Sequence, residues 1–146
     1  RTFGDIYAAR TMTRAEVEHA VSMFFTDVRV KTYVEIRPAD AMPIPYAIAY
    51  AALVKGLLTT EKGLDEMEAL LGDVTESDVV AAKEYLMARG YDAQVYGRGA
   101  ADLCDRLMEI AAGQLSEEEL PFLQPLANLV ERRTTLADIA EEQLGR

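Results

Sequence analysis

The sequence has no tryptophan, one histidine and one cysteine in 146 residues, and these scarcities set the first limits. A single thiol, Cys104, excludes an internal disulfide and a thiolate cage for a metal. A single imidazole, His19, excludes a zinc site built on paired histidines. Basic residues are few as well: 15 Lys and Arg against 25 Asp and Glu leave a net charge of −10. Nucleic-acid binding needs a basic footprint, so this balance argues against it. Long apolar runs are missing too. The longest uncharged stretch, residues 41–54, is shorter than the roughly 18–20 residues of a membrane span, and no signal peptide is visible. What remains is a chain half apolar and 27% charged, long enough to bury a core in one domain. The lone cysteine makes the reducing cytoplasm the expected setting, with no membrane partner. The start at Arg1, without a methionine, is expected of a piece of a longer protein.

Against this background one stretch stands out, VRVKTYVEIRPADAMPIP over residues 28–45. Read with a period of two, Val28, Val30, Thr32, Val34 and Ile36 fall on one side and Arg29, Lys31, Tyr33, Glu35 and Arg37 on the other. Such alternation predicts a β-strand over about 28–37 with an apolar face and a face of three cations, one carboxylate and a phenol. Its exposed edge would invite pairing with a second copy, a homodimer through the strand.

Residues 1–12 have no firm pattern, and most of the rest reads as helix. Thr13 with Glu16 forms a capping box for a helix over about 14–25, its apolar side Val17, Ala20, Val21 and Phe24, expected to lie across the strand's apolar face. Pro43 and Pro45 set the start of a helix over about 46–58 that is apolar on nearly all sides, the expected centre of the core. Residues 59–63 read as a loop, 64–71 as a short helix, 76–89 as a Thr75-capped helix stopped by Gly90, 91–99 as a loop or short extended piece, and 100–112 as a helix. Ser116 with Glu119 opens a helix interrupted near Pro121 and Pro125 and ending around 133. Thr135 and Asp138 start a last one to about 144. The expected fold is therefore mainly α with one catalytic-face strand, a single domain in which 1–45 supplies helix and strand and 46–146 is helical support.

Several residues bear chemistry. Glu35 and Arg37 share the strand's polar face at i, i+2, where a carboxylate can hold Mg²⁺ and a guanidinium can grip a carboxylate or phosphoryl group. Arg29 and Lys31 extend a positive track; a wet sheet face explains the same residues plainly. His19 reads as a helix-surface residue and Cys104 as a buried, inert thiol. The Glu117-Glu118-Glu119 run reads as favourable charge in a first helical turn. Arg98, between Gly97 and Gly99, is a candidate anion contact.

Residues 24–58 resemble the C-terminal signature of glutamate–cysteine ligases of the plant and bacterial type, a family related to glutamine synthetase. The matching residues are Phe25, Val28, Arg29, Lys31, Tyr33, Glu35, Arg37 and Asp40, then Gly56, Leu57 and Leu58. Glutamine synthetases share the shorter core carried here by Glu35, Arg37, Asp40, Pro45-Tyr46 and Gly56-Leu57. Two departures stand in the sequence: Thr26-Asp27 replaces the usual Pro-Glu, and Thr59-Thr60 the usual Tyr-Asp. The resemblance implies an ATP-dependent carboxylate–amine ligase that joins L-glutamate and L-cysteine through a γ-glutamyl phosphate, with ATP and Mg²⁺. It implies a Mg²⁺ ligand at Glu35, a catalytic, substrate-binding arginine at Arg37, and a nucleotide and substrate surface lined by Arg29, Lys31 and Tyr33. It also implies that the strand belongs to a larger antiparallel sheet, so that this chain is a C-terminal portion inactive alone. A related carboxylate–amine ligase, a glutamine-synthetase-like enzyme and a non-enzymatic helical interaction module are the alternatives.

Overall fold

The computed structural model describes residues 2–145, which form eight α-helices and two small antiparallel sheets of two strands each. The fold is mainly α, as the sequence predicts. The chain divides into two compact units, residues 1–41 and 42–146, taken here in turn.

In the first unit, Thr2 and Asp5 form a capping box for a single turn, α1 (Phe3–Ile6). The expected Thr13–Glu16 box opens α2 (Arg14–Ser22). Arg10 reaches the same Glu16 with both guanidinium nitrogens, at 2.8 and 2.5 Å. The helix ends three residues earlier than its apolar spacing suggests, because the chain leaves at Met23 toward the next element.

That element corrects the sequence reading. In place of one continuous strand over 28–37 stands a hairpin, β1 (Val28–Val30) and β2 (Val34–Ile36), in the register Val28↔Ile36, Arg29↔Glu35 and Val30↔Val34. The turn centres on Thr32, where the Lys31 N–H donates to the Tyr33 carbonyl at 2.8 Å. Beyond β2, the Arg37 N–H donates to the Asp27 carbonyl at 2.8 Å and continues the pairing. A fold about Thr32 pairs even-numbered residues with even and odd with odd, so the period-two pattern survives reversal of the chain. The facing edges of the two halves are thus paired with each other, and each strand keeps one outer edge. A second correction follows: α2 does not cover the apolar face, for Val30 stays 76% and Val34 62% exposed.

The second unit is a helical body. Pro43 precedes α3 (Ile44–Leu58), whose first turn carries Pro45. Thr60, expected in a loop, instead caps α4 (Glu61–Leu71) by accepting from the Gly63 N–H. The box of Thr75 and Asp78 opens α5 (Glu76–Arg89), which ends at Gly90 with φ +52°. A single 3₁₀ turn (Gly90–Asp92) leads to a tight hairpin, β3 (Gln94–Val95) and β4 (Arg98–Gly99), where the sequence suggests a loop or short extended piece. Then come α6 (Ala100–Ala112), α7 (Leu120–Glu131) and α8 (Leu136–Leu144), the last opened by the box of Thr135 and Asp138. The interruption expected in α7 does not occur. Pro121 sits in the first turn and Pro125 inside a continuous helix, lacking only the N–H that would bond the Pro121 carbonyl.

Helix α3 packs against α4, α6 and α7. Its place at the core's centre is only partial, since Ala49, Gly56 and Leu57 are buried while Ile44 is 74% exposed. Where α3 meets α6, a Cβ on Gly56 would lie 2.5 Å from the Ala111 carbonyl oxygen, so glycine is what lets the two backbones touch. One cluster, of Leu57, Ile110, Ala111, Leu115 and Leu123, forms around this contact. A second gathers Ala82, Ala93, Val95, Ala100 and Leu103 under the β3–β4 hairpin. Leu70 and Leu107 flank both. Ion pairs of Lys55 with Glu119 and Arg133 with Asp105 tie α3 to the start of α7 and the end of α7 to α6. Among the described residues, no helix is long and apolar enough to cross a membrane.

Candidate functional site

Five residues singled out in the sequence meet on the β1–β2 hairpin. Because Arg29 stands opposite Glu35 in the register, their side chains leave the same face of the sheet, and opposite charges there attract. The Arg29 Nε donates to Glu35 Oε2 at 3.0 Å, and its Nη2 to Oε2 and Oε1 at 2.8 and 3.1 Å. Two more cations close on the same carboxylate. Lys31 Nζ lies 3.8 Å from Oε2 and Arg37 Nε 3.5 Å from Oε1. The sequence expectation that Glu35 and Arg37 share a face holds. What it lacks is the cross-strand partner, since Arg29 reaches Glu35 across the turn rather than along one strand.

Around this cluster the chain preceding β1 supplies backbone and ring. Arg29 Nη1 donates to the Ser22 carbonyl and Arg37 Nη1 to the Phe24 carbonyl, both at 3.4 Å. The Arg37 guanidinium lies over the Phe25 ring at 5.0 Å, within cation–π range. Tyr33 joins through Lys31, whose ammonium lies 5.8 Å from the ring centre. The backbone carbonyls and the ring's role were not legible in the sequence. The only signal was the paired aromatics Phe24 and Phe25 just before the strand.

Three cations around one carboxylate set the electrostatics. The hydrogen bonds from Arg29 hold the Glu35 carboxyl below the usual carboxylate range, with the positive fields of Arg29, Lys31 and Arg37 adding to them and partial desolvation opposing. Arg29 and Arg37 are held at 16% and 22% side-chain exposure, against 44% for Lys31. The two guanidiniums are therefore more enclosed than the ammonium. Such a face can receive an anion that competes with Glu35 for donors, and a planar carboxylate or a phosphoryl group suits paired guanidiniums.

A metal is a different matter. Magnesium takes oxygen ligands, usually more than one carboxylate when the protein supplies the site. Both Glu35 oxygens already accept from Arg29. Among the described residues no three histidines, cysteines, aspartates or glutamates gather closely enough to hold a metal ion. The residues of this hairpin do not by themselves make a Mg²⁺ site; Glu35 offers one carboxylate and no more.

The other sequence candidates lie apart from this cluster. His19 is exposed on α2. Cys104 is half-buried in α6, and burial pushes its thiol up, away from the reactive thiolate. Of the acidic run, Glu119 caps the Ser116 N–H and pairs with Lys55, which holds its carboxyl low. Arg98 belongs to β4. The chain matches no protein-family model and no curated protein.

Proposed function

We propose that this chain is the C-terminal portion of an ATP-dependent carboxylate–amine ligase of the glutamate–cysteine type, working in the cytoplasm. In that reaction ATP passes its γ-phosphoryl group to the γ-carboxylate of L-glutamate. The amine of L-cysteine then displaces phosphate, leaving γ-glutamylcysteine and ADP. The observation that carries the reading is the convergence of Arg29, Lys31 and Arg37 on Glu35 at the spacing that resembles the family. The geometry supports a basic wall for an anion. In the proposed roles, Arg37 grips the reacting carboxylate or phosphoryl group, and Arg29 and Lys31 line the nucleotide and substrate surface beside Tyr33. Glu35 draws the three cations together and offsets their mutual repulsion. When such a ligase works, Mg²⁺ neutralises nucleotide phosphates; in this reading its other ligands come from the rest of the enzyme.

The exposed apolar side of the hairpin supports the same reading. Val28, Val30 and Val34 leave the hairpin's apolar face exposed among the described residues, as expected of one wall of a larger sheet. The test is ADP release with glutamate and cysteine, in the longer protein that this reading requires. Glu35→Gln and Arg37→Ala are each expected to lower the rate by ~10²-fold or more, as for lost transition-state donors. The 146-residue chain alone is expected to show no turnover. Retained activity in both variants, or turnover by the chain alone, would overturn the reading.

A further inference from the structure

Arg98, set aside by the hairpin site, lies at the edge of a cavity of about 350 Å³ between α4, α5 and the β3–β4 hairpin. This is the small end of the range of ligand sites, roughly 300–1,000 Å³. Leu71, Ala82 and Val95 give it an apolar floor, and the last two are buried in the second core cluster. Tyr85 and Tyr96 stand on its rim.

The turn that presents Arg98 is strained. Tyr96 and Gly97 both take positive φ, 53° and 71°, the two-residue hairpin geometry that favours Asn-Gly or Gly-Gly and penalises a bulky first residue. Tyr96 is held there because its ring packs on the cluster of Ala82, Val95 and Leu103. The turn thus places Arg98 among the residues that line the cavity.

The charges are arranged in opposition and left apart. Arg98 forms no ion pair and no side-chain hydrogen bond among the described residues, whereas Arg106 and Arg133 of the same unit are paired. Across the cavity stand Asp73, also without a partner, and Asp78. Asp78 spends Oδ2 on the Thr75 N–H and hydroxyl at 2.9 and 2.6 Å, leaving Oδ1. The C-terminal end of α4 adds partial negative charge to the same side, for its last turn holds no basic residue. A cation and two carboxylates that share a cavity without closing on each other leave space for a ligand carrying both complementary charges.

We propose that this cavity binds a free α-amino acid with an apolar side chain. Its carboxylate meets Arg98, its ammonium meets Asp73 and the free oxygen of Asp78, and its side chain lies on Leu71, Ala82 and Val95. The ligand must be a zwitterion, since a simple anion would face two carboxylates and a simple cation would leave Arg98 unmatched. The site is independent of the β1–β2 hairpin, so its failure and that of the ligase reading are separate results.

The test is an amide-resolved NMR titration of the chain with L-leucine, L-leucinamide and N-acetyl-L-leucine. Saturable shifts confined to residues 69–98 are expected with L-leucine, with dissociation constants at least ten-fold weaker for the two derivatives, each of which lacks one charge. Arg98→Gln and Asp73→Asn are each expected to weaken L-leucine binding ten-fold or more. Both residues are exposed, and an unchanged melting temperature would show that each variant is folded. No saturable shift with L-leucine, equal binding of either derivative, or binding unmoved by both substitutions would overturn the proposal.

Discussion

The two units of this chain spend their apolar residues in opposite ways. In the first, Ala20 alone is buried among the described residues, while Val28, Val30, Val34, Phe24 and Phe25 lie exposed. In the second, two clusters bury leucines, Ile110 and a set of alanines under five helices and a hairpin. Apolar surface buried contributes about 25 cal/mol per Å², so the second unit holds nearly all the hydrophobic stabilisation. The first is held by capping boxes, a hairpin of three residue pairs and surface ion pairs, each a small contribution in water. Three exposed valines thus gather on one short hairpin. The difference teaches that candidate chemistry and stability are separated here: the charged face sits on the weakly stabilised unit.

The sharpest way to break this comparison is to cut the same kind of side chain in both units. Ile110, 2% exposed between α3 and α7, should cost ~2–5 kcal/mol as Ile110→Ala, since the packed helices cannot collapse into the space. Val30→Ala should change stability by less than ~0.5 kcal/mol, as surface substitutions do. Gly56→Ala falls between, at about 1–3 kcal/mol, because its new methyl would press on the Ala111 backbone rather than on a flexible side chain. Urea unfolding followed by circular dichroism reads all three. Comparable losses at Val30 and Ile110 would mean that the hairpin's valines are covered in solution.

A smaller effect tests the electrostatic half of the contrast. Carboxyls in both units are held below their ordinary range by donors in the fold: Asp5 by Thr2, Asp78 and Asp138 by Thr75 and Thr135, Asp105 by Arg133 and Glu35 by Arg29. A lowered folded-state pKa gives stability that is fully present above the unfolded value, about 4 for such groups. That stability is lost as pH falls through the lowered values. The melting temperature should therefore be flat from about pH 7 to 5 and drop below about pH 4. A melting temperature that rises on acidification through pH 4 would contradict the assigned pairs.

Much of this architecture can be read from residue types. The boxes at Thr13–Glu16, Thr75–Asp78 and Thr135–Asp138 start helices because a hydroxyl and a carboxylate three apart satisfy orphan N–H groups locally, with no help from tertiary contacts. The β1–β2 turn was hidden for a symmetric reason. Lys31, Thr32 and Tyr33 include no glycine, proline or asparagine, and reversal about Thr32 keeps every side chain on its face. The gathering of Arg37 with Glu35 is legible because either conformation puts them together. The Arg29 contact is not, because its distance depends on the turn. The cavity at Arg98 is least legible: its acidic wall comes from Asp73 and Asp78, twenty or more residues earlier, and only the docking of α4 and α5 on the β3–β4 hairpin brings them close.

A comparably small effect is expected at a residue on which two forces nearly cancel. Arg133 follows α7 with φ +51°, a left-handed conformation that costs a non-glycine residue roughly 1–2 kcal/mol. It is kept there by what its side chain reaches: both nitrogens of the guanidinium fork bind Asp105 at 2.7 and 2.5 Å, and Nη1 also donates to the Val130 carbonyl at 2.9 Å. The pair is partly exposed, at 39% and 43%, so solvent screening keeps its contribution small. Arg133→Gly removes both strain and pair, and should leave stability within ~1 kcal/mol of the parent, on the stabilising side at high salt where the pair is already screened. Arg133→Ala keeps the strain and loses the pair, so it should be the less stable of the two at every salt concentration. An alanine variant as stable as the glycine one would mean that the end of α7 relaxes out of the left-handed conformation once Asp105 lets go.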